Sequence, residues 1–237
     1  MVKLSNRLLT VASFVTAGNV LADVGTDHGY IPIYLLQEGR VPKAIAMDIN
    51  AGPLQRAKEH IVQYGLEGYI ETRLSDGVNG LVPGEADSIL IAGMGGGLVL
   101  HILSDGEAVC RAAKELILQP QSELERVRAY LWSNGYVILE EDIVLEDEKF
   151  YPMMRVQYQG VNDETSAENM PFCRYGKGLL ASKHPVLKQY LEREQKLYSD
   201  IRENLGKTEA SEKTKERLAE VEAILKWNQE ALNYFSI

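Results

Sequence analysis

Two cysteines in 237 residues exclude a disulfide framework, and Cys110 and Cys173 stand at no spacing that would ligate a metal. No apolar run reaches the roughly 18–20 residues needed to span a bilayer. The opening MVKLSNRLLTVASFV is amphipathic and lacks a small-residue cleavage site behind a long apolar core. It reads as a helix, not an export signal. The expected setting is a reducing cytoplasm, without membrane or metal. Positive charge is also scarce, and the net charge is −9. The deficit is uneven: residues 1–160 hold 13 Lys and Arg against 21 Asp and Glu, whereas residues 161–237 hold 12 against 13. Any phosphate contact therefore needs a local basic patch, which total charge neither supports nor excludes.

What is present is alternation. Apolar runs at Val20–Gly25, Lys43–Ile49, Ile70–Asp76, Asp87–Ala92 and Leu116–Gln119 are separated by helical patterns at Ile31–Glu38, Gly52–Tyr64, Gly97–Leu103 and Ser122–Ser133. This predicts an α/β fold with a mostly parallel sheet covered on both faces. After Gly135, YVILEEDIVLED and FYPMMRVQY read as an antiparallel pair closing the sheet edge. Such a sheet is similar to the Rossmann-like sheet of class I methyltransferases. Residues 161–180 read as a connector rich in turn formers. Beyond Pro185, Leu187, Leu191 and Leu197 mark one long helix, and Leu218, Val221, Ile224 and Leu225 a second. GKTEASEK between them supplies a glycine stop and a Thr or Ser cap. The expectation is a ligand-binding domain over 1–160 and a coiled-coil helical hairpin, with its connector, over 161–237.

The stretch VLADVGTDHGYIP places Asp23 inside an apolar run and crowds Thr26, Asp27 and His28 between Gly25 and Gly29. In a doubly wound sheet, ligands sit at the carboxyl ends of the strands, where Gly25 lets backbone approach closely. The dinucleotide spacing G-x-G-x-x-G is absent, which argues against a pyrophosphate. The second run ends in Asp48, placed to accept both hydroxyls of a ribose, or simply to cap the following helix. The third ends in Asp76, placed to accept the exocyclic amine of adenine, or simply to form an Asp-Gly turn. Three acids at one sheet edge describe an adenosine-shaped ligand without pyrophosphate, and S-adenosylmethionine fits. The fourth run ends GMGGG, from Gly93 to Gly97, without the Asp- or Asn-Pro-Pro-aromatic motif common among DNA amino-methyltransferases. Four glycines leave exposed backbone and space for a flat ring.

LSNRLLTVASFV, LADVGTDHGYIP, AMDINAGPLQRAKEHI, RLSDGVNGL and ILIAGMGGGLV, followed by LILQPQSE and EKFYPMMRVQY, resemble the bacterial tRNA (adenine-N1)-methyltransferases of the TrmK family. The resemblance spans nearly the whole chain and departs at RYGKGLLASKHP. It implies methylation of N1 of adenine 22 in tRNA, with S-adenosylmethionine as cofactor; the sequence leaves the oligomeric state open, a monomer being one option. The cofactor set is then Asp23, Gly25, Thr26, Asp48, Ile49, Asp76, Gly77 and Gly93. Asp27, His28 and Tyr30 become the groups beside the base, with Gly93 and Met94 bordering it. Arg7, Gly95, Gly96, Lys183, Lys188 and Arg193 become the contacts to tRNA. Two rivals are a methyltransferase acting on a small molecule and a non-catalytic module whose helices dimerise. The second leaves the three acids and the glycine loop unexplained.

Overall fold

The computed structural model describes residues 2–207 and 211–236. Strands β1 (Leu21–Val24), β2 (Ala44–Asp48), β3 (Ile70–Leu74), β4 (Ser88–Met94), β5 (Glu115–Pro120), β6 (Tyr136–Glu146) and β7 (Lys149–Tyr158) form one seven-stranded sheet ordered β3-β2-β1-β4-β5-β7-β6. The first five pair in parallel, and β7 runs antiparallel to both β5 and β6. Helices α1 (Asn6–Ser13), α2 (Tyr30–Gln37) and α3 (Ala51–Gln63) cover one face. Helices α4 (Gly96–Asp105), α5 (Glu107–Ala112) and α6 (Leu124–Ser133) cover the other. Both faces being covered, β1 and β2 are buried at every position, which is why they read as continuous apolar runs. The order reverses between β1 and β4, so the crevice for a ligand opens at their carboxyl ends.

The third strand differs from expectation. It ends at Leu74, which pairs with Asp48, so Asp76 lies two residues beyond the sheet. Asp48 itself draws the chain into that turn, since its carbonyl accepts from the Ser75 N–H at 2.9 Å. Helix α5 was also unforeseen; six residues are too few to display a helical period.

The expected connector consists of three short helices, α7 (Glu164–Glu168), α8 (Met170–Tyr175) and α9 (Lys177–Ala181). A buried ion pair fastens α8 and α9. Arg128 Nε donates to Glu141 Oε1 at 2.8 Å, and both side chains are 1% exposed. The same guanidinium donates to the carbonyls of Cys173 and Arg174, while Glu141 Oε2 accepts the Gly178 N–H. Helices α10 (Pro185–Gly206) and α11 (Glu212–Asn233) then form the hairpin, with Ser211 capping α11. The other expected cap, Thr208, lies outside the described residues. The hairpin seats on β6 through a core of Ile143, Tyr175, Leu179, Leu180, Leu187, Leu191 and Ala231. Leu197 does not join it; it is 55% exposed, one helical face away from Leu187 and Leu191.

Candidate active site

Where β1 ends, the N–H groups of Gly25 and Thr26 both donate to the Met47 carbonyl, at 2.8 and 2.9 Å. The chain then turns through positive φ at Gly25, Asp27 and Gly29 before α2 begins. A side chain at Gly25 would be strained and would overlap the Met94 methyl group, so β1 and β4 touch here through a glycine. Asp23, although inside the strand, is nearly buried, and its Oδ2 accepts from Thr26 Oγ1 at 2.6 Å. Burial pushes its carboxyl up to about 6, with Thr26 opposing and the Asp48 charge adding. A buried acid held this way suits a cationic ligand group. Asp48, at the end of β2, is also buried, and its Oδ1 accepts from the Asn50 N–H at 2.8 Å. Ile49 beside it is 58% exposed, an apolar side chain offered to solvent at the sheet edge.

A cavity of about 290 Å³ lies over this turn. Asp23, Gly25, Thr26, Asp27, His28, Tyr30, Gly93 and Arg7 all line it. Asp27 is exposed and pairs with Arg56 at 2.8 Å and with His28 at 3.5 Å. The rings of His28 and Tyr30 stack at 5.1 Å, and His60 of α3 stacks on Tyr30 at the same spacing. His60 Nδ1 stands 2.9 Å from the His28 carbonyl and fixes the turn to α3.

Arg7 reaches the cavity from α1. Its Nη1 donates to Gln119 Oε1 at 2.8 Å, and its guanidinium lies 5.0 Å from the centre of the Tyr151 ring. Gln119 and Gln121 stand outside the set of site residues expected from the sequence. The signal that picked out Asp23, a polar side chain at the end of an apolar run, is present in LILQPQ as well. Gln119 is fully buried, with its Nε2 unpartnered among the described residues, and Gln121 lines the cavity.

Other expected residues are placed differently. Asp76 and Gly77 border a separate small hollow against α4, where Asp76 is exposed and has no side-chain hydrogen bond among the described residues. The glycine loop is not open backbone. The Gly96 N–H donates to Ser122 Oγ at 3.1 Å and the Gly97 N–H to Glu123 Oε2 at 2.8 Å. Gly96 is buried, and a Cβ on it would overlap the Ser122 carbonyl, so close packing on the loop before α6 requires this glycine. Gly95 is exposed just before α4. Lys183 and Lys188 are exposed and away from the cavity, Lys188 lying 3.9 Å from Glu192. Arg193 instead faces the β6–β7 turn and donates to the Glu148 carbonyl at 2.7 Å.

The family described as Methyltransferase domain matches residues 4–154. The tRNA (adenine(22)-N(1))-methyltransferase of Bacillus subtilis is 34% identical over 221 residues, covering 90% of this chain and 92% of its own. This chain belongs to that family. The crystal structure of the B. subtilis M1A22 tRNA methyltransferase TrmK matches with a TM-score of 0.88 at 31% identity, over 98% of this chain and 100% of that one. Sp1610 of Streptococcus pneumoniae, in complex with S-adenosyl-L-methionine, matches with a TM-score of 0.85 at 31% identity, over 97% and 100%. The membership covers the C-terminal hairpin as well as the sheet. Among the described residues no helix is long and apolar enough to cross a membrane, and no His, Cys, Asp and Glu cluster could hold a metal.

Proposed function

We propose that this chain transfers the methyl group of S-adenosylmethionine to N1 of adenine 22 in bacterial tRNA, acting in the cytoplasm as a metal-independent monomer. The observation that carries the reading is a juxtaposition: the carboxyl groups of Asp23 and Asp48 are buried on neighbouring strands, and Asp23 lines a cavity bordered by Arg7, Gly93 and Gln121. The first pair suits a nucleoside with a cationic tail, and the cavity suits a second, flat reactant.

Asp48 would accept the ribose hydroxyls, Ile49 would cover the adenine face, and Asp76 would take its exocyclic amine. Thr26 and Gly77 would complete the cradle, and Asp23 would face the methionyl ammonium. Gly25 fits the cofactor because it lines the cavity with backbone alone, where a side chain would be strained and would overlap the Met94 methyl group. Bound in this cradle, S-adenosylmethionine supplies an electrophilic methyl group on a sulfonium.

Adenine N1 carries a free lone pair at neutral pH, so the protein needs no strong base. Its task is orientation, which can contribute up to about 7–11 kcal/mol. Asp27 and His28, with Tyr30 stacked alongside, would hold the positive charge that develops on the ring or take its N6 proton. Gly93 and Met94 would border the base, which must first leave its stack at a cost of a few kcal/mol. Gly95, Gly96, Lys183, Lys188 and Arg193 remain candidate tRNA contacts; Gly96 could act through loop shape, its N–H being occupied.

Purified protein with labelled cofactor tests the reading against two tRNAs, one unmodified and one carrying guanine at position 22. Label in the first alone is the expected result. Equal label in both would move the site elsewhere, and none in either would end the tRNA reading.

A further inference from the structure

A second cavity of about 480 Å³ lies between α10 and the β6–β7 turn. Its walls are aromatic: Phe150 and Tyr151 from β7, Tyr190 and Tyr198 from α10. Phe150 and Tyr190 meet edge to face at 5.2 Å, which fixes the angle between the two walls. The exposed Leu197, left without a role in the hairpin core, stands at the same cleft.

This cleft continues into the cavity over the β1 turn. Gln121 lines both, and Arg7 of the first lies over the Tyr151 ring of the second. Its charges balance, with Lys149 and Arg193 beside Glu148 and with Arg174 paired to Glu194, so no cationic patch singles out a phosphate. Arg193 donates to the Glu148 carbonyl, and Asp147, Glu148 and Lys149 stand exposed along the turn, so both signs of charge stand at its tip. Glu194, also on the wall, is already held by Arg174, Tyr175, Tyr190 and Asn228. Aromatic faces with an amide and a free acid at the rim match a nucleobase, which stacks through its rings and donates from its amino edge.

We propose that this cleft is a second nucleobase pocket, which takes an unstacked base flanking the target adenine in the tRNA. It rests on the tRNA reading above and adds a partner for the base that loses its neighbour when the target leaves the stack. Tyr198 and Leu197 are its stacking surface on α10, and Gln121 is the divider between the two bases.

The test pairs Tyr198→Ala with tRNAs that carry an abasic nucleotide on the 5′ or the 3′ side of the target. Binding of S-adenosylmethionine unchanged from wild type verifies the fold, and Leu197→Ala, at an exposed position, carries the same test should Tyr198→Ala unfold. Affinity for intact tRNA should fall about fivefold or more. On one of the two abasic tRNAs, variant and wild type should bind equally. Undiminished affinity for intact tRNA, or a loss that persists in full on both abasic tRNAs, overturns the pocket while wild-type methylation of tRNA leaves the proposed function standing. A wild-type protein that methylates no tRNA removes both.

Discussion

Thr26 Oγ1 donates to Asp23 Oδ2 at 2.6 Å, the strongest favourable contact of a carboxylate otherwise enclosed by the sheet. Burial outweighs that bond and lifts the acid from 3.8 to about 6. A raised acid stabilises the fold fully below its unfolded value, and that contribution is lost as pH rises through the folded one. Two units amount to about 3 kcal/mol by pH 7. Asp23→Asn in the ligand-free protein should therefore raise stability at neutral pH and flatten its pH dependence between about pH 4 and 7. Wild-type affinity for S-adenosylmethionine should rise over the same window, because the cationic tail needs the ionised acid. Calorimetric titration at several pH values checks both, and a flat affinity would separate Asp23 from the methionyl end.

Asp48 is a different acid. It sits at the strand end with a backbone N–H already on Oδ1, and its second oxygen has no hydrogen-bond partner among the described residues. Asp48→Ala should weaken S-adenosylmethionine binding at least about tenfold, since charged hydrogen bonds contribute roughly 1.5–3 kcal/mol each. The melting temperature of the free protein should change little. Unchanged affinity in a folded variant would leave Asp48 as a cap for α3 and nothing more.

The sheet and these two acids were legible because burial on both faces writes strands as apolar runs, against which Asp23 and Asp48 stand out. Asp76 was misplaced for a related reason. RLSDG carries no glycine or proline stop until Gly77, and the pairing of Leu74 with Asp48 is the last of the ladder. The glycine loop misled in the opposite direction. Gly96 is required by the Ser122 carbonyl, a long-range neighbour that no local pattern reveals. The short helices α8 and α9 hide among turn residues because the bonds that hold them come from Arg128 and Glu141, brought from α6 and β6.

Glu194 gives a stability prediction in the hairpin. Its carboxylate accepts from Arg174, Tyr175, Tyr190 and Asn228, joining α8, α10 and α11 in one buried network. Glu194→Ala leaves the Arg174 guanidinium without its counter-ion and three donors unpaired. The expected loss is about 3–5 kcal/mol in denaturant unfolding. Glu194→Gln keeps an acceptor and should lose less. A loss under about 1 kcal/mol in the alanine variant would mean that water replaces the carboxylate.

Arg7 separates cofactor binding from the handling of the second reactant. The Gln119 amide oxygen holds its guanidinium, the Tyr151 ring lies beneath it, and Gly93 faces it with no side chain between them. Arg7 lines the same cavity as Asp23. Arg7→Ala should leave S-adenosylmethionine affinity within about twofold and lower single-turnover methylation of tRNA tenfold or more, the loss of one charged hydrogen bond. Salt then tells which part of the nucleotide Arg7 meets. A phosphate contact predicts that the slope of log affinity against log salt becomes shallower by about one unit. A contact to the base leaves the slope unchanged. Gln119→Leu removes the anchor and keeps the charge, so it should lower the methylation rate while preserving the wild-type salt slope. If both variants methylate at the wild-type rate, the pair only fastens α1 to the sheet, and recognition of the base falls to Gln121 and the β1 turn.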